Sequence, residues 1–414
     1  MEGAVSAMLE SCINFEPGLF EVEDRDAFRI AGDTAFILGR RYDTMDDFDE
    51  LKRDVTSRLW MTYRKNFQPI GGTGPTSDQG WGCMLRCGQM LLAQSLVALH
   101  LGRDWRWSAT RQCQTYRNIL RLFEDKKHCL YSIHQIARMG VSEGKAVGEW
   151  FGPNTVAQVL KKLAVYDGWT RLAVHVAMDS LLVEEDVCQL LSSQHPTCSS
   201  SSPPSSPSPS TATSTATTDE DRPLLLLVPL RLGLNSLNPC YLEAIKAYFA
   251  LEQCVGIIGG RPNHALYLIG VVGSEVVYLD PHTCQPLVEL GSDGSGDESK
   301  RPTLEPVPSM LEDRVDDESY HCPFALHMPM ADIDPSLALG FVCCGVAEFR
   351  QLCQTLREVL LRASSPPMFE ILEKRPDYWP AFRPYTGEEA TAKLKDFTVV
   401  ESHYDTDEEF EVLG

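Results

Sequence analysis

Residues 76–90 read Thr-Ser-Asp-Gln-Gly-Trp-Gly-Cys-Met-Leu-Arg-Cys-Gly-Gln-Met, and they constrain this chain more than any other stretch. Ser77, Asp78, Gly80 and Gly82 are turn formers ahead of Cys83, and a proline-free apolar run from Met84 to Leu101 follows it. Met84, Leu91, Leu92, Ser95, Leu96 and Leu99 recur at helical spacing, and Gly102 stands where a helix stops. The pattern predicts a buried helix with Cys83 at or just before its first turn. Unsatisfied N–H groups and the positive end of the helix dipole there favour a thiolate over a thiol. Gly80 and Gly82 keep side chains away from the sulfur, so a substrate backbone can come close. Cysteine nucleophiles are presented this way. The alternative is a buried structural cysteine acting as a small core hydrophobe.

A chain of 414 residues can be one enlarged domain or two, and a hydrophobic content of 43% is ample for a core. The net charge of −21 excludes phosphate-directed binding to nucleic acid. Met1–Phe15 carries Glu2 and Glu10 and no basic residue, which fits neither a signal nor a transit peptide. The apolar run Leu224–Pro229 is far short of the roughly 18 residues of a membrane span. The fourteen cysteines show no repeating spacing, so a cytoplasmic protein with reduced thiols is expected. No metal is expected either. Cys83 and Cys87 lack a partner pair for a zinc site, and Cys343 and Cys344 point to opposite faces of a strand.

Along the chain, a strand is expected at Ala35–Leu38 and an amphipathic helix over Asp46–Phe67 with Leu51, Val55, Leu59, Trp60 and Tyr63 on it. Further helices are expected at 109–124, 132–138 and 154–165, the last opened by Gly152-Pro153-Asn154. A strand at Arg171–Met178 and a helix at Ser180–Leu191 follow. Ser192–Thr218 is nearly all Ser, Thr and Pro and cannot bury enough apolar surface to order itself. After it, Leu224–Val228 reads as a buried strand and Tyr241–Leu251 as a helix. Strands come next at Val255–Ile258, Ala265–Val272 and Glu275–Leu279, the last two joined by a Gly273-Ser274 turn. A strand (Leu337–Cys343), a helix (Val346–Arg362) and a strand (Met368–Glu373) complete the core. Helices dominate the first half and strands the second, an α+β pattern.

A thiolate nucleophile needs a base, and two of the ten histidines stand out. His264 ends the loop Gly259-Gly260-Arg261-Pro262-Asn263, and His282 ends the next strand in Leu279-Asp280-Pro281-His282. Only His282 has a carboxylate at i−2, which extended backbone places on the same side. Asp280 there would fix the imidazole tautomer and stabilise its protonated form, as a third triad member does. His282 is the first choice of base and His264 the rival.

Gly71-Gly72-Thr73-Gly74-Pro75-Thr76-Ser77-Asp78 running into Gly80-Trp81-Gly82-Cys83-Met84-Leu85-Arg86-Cys87-Gly88-Gln89 resembles the nucleophile region of the autophagins, papain-like cysteine peptidases of clan CA. Trp150-Phe151-Gly152-Pro153-Asn154-Thr155, Gly259-Gly260-Arg261-Pro262-Asn263 and Leu279-Asp280-Pro281-His282-Thr283 are similar to the same family in the same order. The resemblance implies a papain-like α+β fold, with a nucleophile helix packed on a mainly antiparallel sheet. It implies a peptidase domain over 31–375, interrupted by a disordered insert (192–222) and a polar loop (291–319). An N-terminal segment (1–30) and a flexible acidic tail (376–414) flank it. Carried over residue by residue, Cys83 is the nucleophile, His282 the base, Asp280 its orienting carboxylate and Tyr63 an oxyanion donor. His264 then falls where the family has its gate, in place of a small polar residue. The resemblance is to the shorter autophagins.

The implied activity is thiol-dependent cleavage of GABARAP-type ubiquitin-like autophagy modifiers after a C-terminal glycine. That serves precursor processing, release from phosphatidylethanolamine and autophagosome formation, with membranes met only through the lipidated substrate and no cofactor. Trp150 facing Gly259, Gly260, Arg261 and Pro262 would make a slot too narrow for side chains beyond glycine. Cys87, one helical turn after Cys83, is a redox candidate through a strained disulfide, with core packing as the alternative. In the tail, Phe410 and Leu413 follow Asp405, Asp407, Glu408 and Glu409, which resembles the short motif that adds a strand to the modifier's sheet. A catalytically dead binding module is the competing reading, and turnover on an extended modifier separates the two.

Overall fold

The computed structural model describes residues 34–193, 222–290, 315–323 and 326–387. β1 (Thr34–Ile37) and β2 (Arg40–Asp43) form a hairpin, followed by α1 (Phe48–Thr56) and the short β3 (Tyr63–Lys65). The expected helix over Asp46–Phe67 therefore ends early. Arg58 turns inward, buried, to bond Asp54, and β3 pairs in parallel with a strand more than 200 residues away. Pairing at that range overrides local helical pattern, and no window of sequence contains it. α2 (Cys83–His100) matches the expected nucleophile helix to within a residue. Every residue from Cys83 through Val97 is buried, so the helix is enclosed all round rather than striped, with Arg86, Gln89, Gln94 and Ser95 as its buried polar positions. Leu91, Leu92 and Leu96 are wholly buried, each contributing about 2 kcal/mol by transfer from water.

α3 (Gln114–Arg121), α4 (Ile133–Met139) and α5 (Pro153–Ala164) follow, the last with Pro153 in its first turn where a missing N–H costs nothing. Next come β4 (Ala173–Val176), β5 (Leu181–Val183) and α6 (Glu184–Ser192). β5 replaces the first turn of the helix expected at Ser180, because it pairs with a strand near residue 371. The second half supplies β6 (Leu224–Arg231), α7 (Leu242–Phe249), β7 (Cys254–Arg261), β8 (His264–Val272), β9 (Glu275–Leu279) and β10 (Cys284–Pro286). β11 (Leu326–Pro329), β12 (Ser336–Cys343), α8 (Val346–Thr355) and β13 (Glu370–Leu372) close it. α8 passes into a π-helical turn at Leu356–Leu360 instead of running unbroken to Arg362.

One sheet organises the body, in the order β11-β9-β8-β7-β12-β6-β4, with β1 laid on β8 and β2 on β1. All its pairs are antiparallel except β4 with β6. α2 packs across β7, β8 and β12, and α5 across β4, β6 and β12. This is the α+β arrangement of a papain-like peptidase.

Three further boundaries differ from those read in the sequence. β7 and β8 continue through the glycines expected to form a flexible loop, closing as a two-residue hairpin with Arg261 opposite His264. Gly260 is obligatory there: its φ is 136°, and a Cβ would lie 2.0 Å from the His264 carbonyl oxygen. Within the expected polar loop 291–319, Val315 and Asp317 are buried. Within the expected tail 376–414, Phe382 and Tyr385 pack against the core and the Tyr166 hydroxyl donates to the Gly387 carbonyl at 3.2 Å. Residues 1–33, 194–221, 291–314, 324–325 and 388–414 lie outside the described residues, and with them Phe410, Leu413 and the bulk of the Ser/Thr/Pro insert.

Candidate active site

Cys83 opens α2, with Gly82 as its N-cap and no capping side chain. The turn ahead of it is built on Asp78, fully buried, whose main-chain oxygen accepts from the Gly82 N–H at 2.8 Å. Asp78 Oδ1 accepts from the Arg64 N–H at 2.7 Å, which ties the turn to β3. A Cβ on Gly82 would sit 2.3 Å from Asp78 Oδ2, so glycine is required here to let the turn close under the nucleophile. Arg86, one turn into α2, bonds Asp78 at 2.8 and 3.0 Å and Asp125 at 2.9 and 3.2 Å, all three residues being buried. Burial opposes the Arg86 charge, but Asp125 and Asp78 outweigh it and hold its proton more firmly than usual.

The end of β9 brings the other groups to the sulfur. Asp280 Oδ1 accepts from the His282 main-chain N–H at 2.9 Å and lies 2.6 Å from His282 Nδ1. The turn is pinned from β3, since Tyr63 N–H donates to the Pro281 carbonyl at 2.9 Å. Trp60 Nε1–H donates to the Asp280 carbonyl at 2.7 Å. The His282 and Tyr63 side chains lie against the Cys83 sulfur, and Tyr63 meets the His282 ring edge-on at 5.4 Å. Trp150 Nε1–H donates to Cys83 Sγ at 3.2 Å. Cys83 is 3% exposed and Trp150 41%, so the indole roofs the thiol.

Electrostatics follow from this geometry. Burial alone would push the Cys83 thiol up, but the His282 hydrogen bond and charge, then the Tyr63 and Trp150 donors, bring it below the ordinary thiol value. Burial would lower His282, yet bonds to Asp280 and Cys83 push it up to about 9. Asp280 is held well below the carboxylate range, because hydrogen bonds from His264 and His282 outweigh its burial. Burial and the adjacent Cys83 raise Tyr63, which stays a proton donor. The arrangement pairs a thiol of lowered pKa with an oriented base whose protonated form is favoured, beside N–H and O–H donors, and is equipped for nucleophilic acyl chemistry.

Of the residues singled out in the sequence, Cys83, Tyr63, Trp150, Asp280 and His282 converge. Tyr63 does so from a strand rather than a helix end. Gly259 and Gly260 are buried in β7, while Arg261 and Pro262 are exposed at the hairpin tip. Cys87 lies one turn deeper, wholly buried, and burial with the neighbouring Cys83 pushes its thiol well above the usual value, disfavouring the reactive thiolate. Sequence reasoning missed Trp60 and the Asp78–Arg86–Asp125 cluster. Asp78 and Arg86 stand within the nucleophile motif itself, whereas nothing local points to Asp125 or Trp60. Among the described residues, the metal-ligand grouping is His264, Asp280 and His282, whose ligand atoms lie within 4.8 Å of one another. Its two imidazoles are stacked almost parallel, so their nitrogen lone pairs do not converge on one tetrahedral point.

The family profile described as Peptidase C54 catalytic domain matches residues 48–355, which takes in every converging group. The chain belongs to the peptidase C54 family, the autophagins. Cysteine protease ATG4A of Xenopus laevis is 47% identical over 401 residues, covering 95% of this chain and 96% of that protein. Cysteine protease ATG4B of Gallus gallus is 45% identical over 405 residues, 95% of this chain and 97% of the relative. Cysteine protease ATG4A of Homo sapiens is 42% identical over 423 residues, covering both chains in full. This C54 member is an autophagy-related cysteine peptidase. Among the described residues no helix is long and apolar enough to cross a membrane.

Proposed function

We propose that this peptidase cleaves GABARAP-type ubiquitin-like modifiers after their C-terminal glycine, in the cytoplasm, both from precursors and from phosphatidylethanolamine. The observation that carries the reading is a nearly inaccessible Cys83 under Trp150, a site that admits a thin chain end and little else. Glycine's lack of a side chain suits it to such a passage. The Cys83 thiolate attacks the glycyl carbonyl carbon, and the carbonyl electrons move onto oxygen. The Cys83 main-chain N–H and the Tyr63 hydroxyl bind that oxyanion. His282 gives its proton to the leaving nitrogen as the C–N bond breaks, leaving a thioester. It then takes a proton from water, which attacks the thioester, frees the glycine carboxylate and restores the thiolate. The test is turnover of a modifier carrying a short C-terminal extension. Cleavage on the C-terminal side of glycine, and of no other residue placed there, is expected. Binding without turnover would favour a docking module instead.

The raised His282 also sets a pH limit. The imidazolium needed to protonate the leaving amine persists below its folded value of about 9 and is lost above it. Cleavage is therefore expected to fall as pH rises through about 9, while Cys83 alkylation, which needs only the thiolate, should not. A cleavage rate flat to pH 11 would break this assignment.

The domain arrangement belongs to the same reading. The insert joins α6 to β6, two elements of one packed body, and long surface loops cost little. Replacing residues 194–221 by a short Gly/Ser linker should leave turnover within about twofold. A cooperatively folding fragment 1–195 would contradict it. The tail is proposed to dock on the modifier, with Phe410 and Leu413 filling two pockets and the acidic run meeting basic residues. Phe410→Ala with Leu413→Ala should weaken binding measured by calorimetry, and less so at high salt, where the flank is screened. Unchanged affinity would reduce the tail to a solvated terminus.

A further inference from the structure

We propose that His264 is a positioning residue for His282: the gate hairpin lays its ring flat on the base and presents its Nε2 to the second oxygen of Asp280. The proposal rests on the assignment of Cys83, His282 and Asp280 above. The two ring centroids are 3.6 Å apart with planes 9° from parallel, a full-face stack. His264 Nε2 lies 3.4 Å from Asp280 Oδ2, while His282 Nδ1 takes Oδ1 at 2.6 Å. Both carboxylate oxygens are thereby engaged by histidines, and the Asp280 main-chain oxygen by Trp60.

What this does is mechanical. A carboxylate bonded through one oxygen can swing about its terminal torsion, which is broad and weakly restrained. One bonded through both cannot swing without losing a partner. The imidazole has the same soft torsion, and a ring pressed on its face blocks that rotation. Tyr63 meets the ring edge-on at 5.4 Å. The charged or titratable groups around His282 are thus Asp280 at Nδ1, Cys83, Tyr63 at the edge and His264 on the face, with Cys87 one turn deeper. The placement of His264 is fixed by the backbone: it opens β8 opposite Arg261, and the strand crossing at Gly260 tolerates no Cβ. The β7–β8 hairpin and the orientation of the base are thereby coupled through His264. A residue at position 264 without a ring would leave the base open on one side.

The test compares His264→Ala, which removes ring and donor, with His264→Phe, which keeps a ring of similar shape. Cleavage of the extended modifier gives kcat and KM, and iodoacetamide alkylation of Cys83 across pH, followed by mass spectrometry, reports thiolate formation. In His264→Ala, kcat is expected to fall about tenfold with KM little changed, since a misaligned base costs rate rather than binding. The acid limb of alkylation should move to higher pH, because a freely turning imidazolium stabilises the thiolate less. His264→Phe should recover most of both. Unchanged kcat and limb in His264→Ala overturns the proposal. So does a change confined to KM, which marks a substrate contact. Wild-type Cys83 alkylating no more readily at low pH than in His282→Ala would remove the underlying assignment. A normal wild-type limb with an unmoved His264→Ala limb removes only the role of His264.

Discussion

Cys83→Ala, His282→Ala and Asp280→Ala are each expected to cut turnover of an extended modifier by about a thousandfold or more, without unfolding the protein. The three act as a unit, so the losses are not additive, and the double variant Cys83→Ala with His282→Ala should be little worse than either single one. In the proposed mechanism, removing Cys83 removes the atom that forms the acyl bond. Without His282, the thiolate loses its largest favourable partner and the leaving amine loses its proton donor. Asp280→Ala should be the mildest. His282 stays stacked on His264 and edge-on to Tyr63, but the 2.6 Å bond that selects its tautomer and supports its charge is gone. Circular dichroism of each variant should match wild type, since none of these side chains is among the large core-filling ones. Full turnover in His282→Ala together with its loss in His264→Ala would exchange the base for its stacked neighbour.

How far the site was legible in the sequence depends on the range of the interactions that build it. Cys83 and α2 are encoded locally, in glycines before and an apolar run after, and their boundaries agree to within a residue. Asp280 and His282 lie two apart on one turn, so their pairing follows from spacing alone. Tyr63 is the opposite case. Its neighbours Leu59 and Trp60 continue the α1 pattern in sequence, but β10 captures the segment as a strand and the Pro281 carbonyl holds it there. The cluster of glycine and proline over Gly259–Pro262 has the pattern of a loop, but a positive-φ glycine and a Pro-Asn turn are also what a tight hairpin needs. The stack of His264 on His282 depends on how β8 and the β9 turn sit side by side, and periodicity carries no information about that.

The largest stability effect is expected at Arg86, whose guanidinium is the joint of a buried cluster directly beneath the nucleophile turn. It bridges Asp78 and Asp125 and also donates to Gln89 Oε1 at 3.0 Å. Deleting it leaves two carboxylates facing one another with almost no access to water, each an uncompensated buried charge. Breaking a buried pair by removing one partner typically costs about 3–5 kcal/mol, so Arg86→Met should lower the urea midpoint substantially with an unchanged denaturant slope. Arg86→Lys should recover only part, because a point charge cannot bond two carboxylates in the fork geometry of a guanidinium. Adding Asp78→Asn and Asp125→Asn to Arg86→Met should restore stability beyond the single variant, since the repulsion is then gone. Activity need not return with it. Asp78 is also the acceptor that ties the turn to the Arg64 N–H, and an amide oxygen holds that bond more weakly than a carboxylate. A midpoint for Arg86→Met equal to wild type would mean that the cluster is solvated or already neutral, and the charge argument would fall.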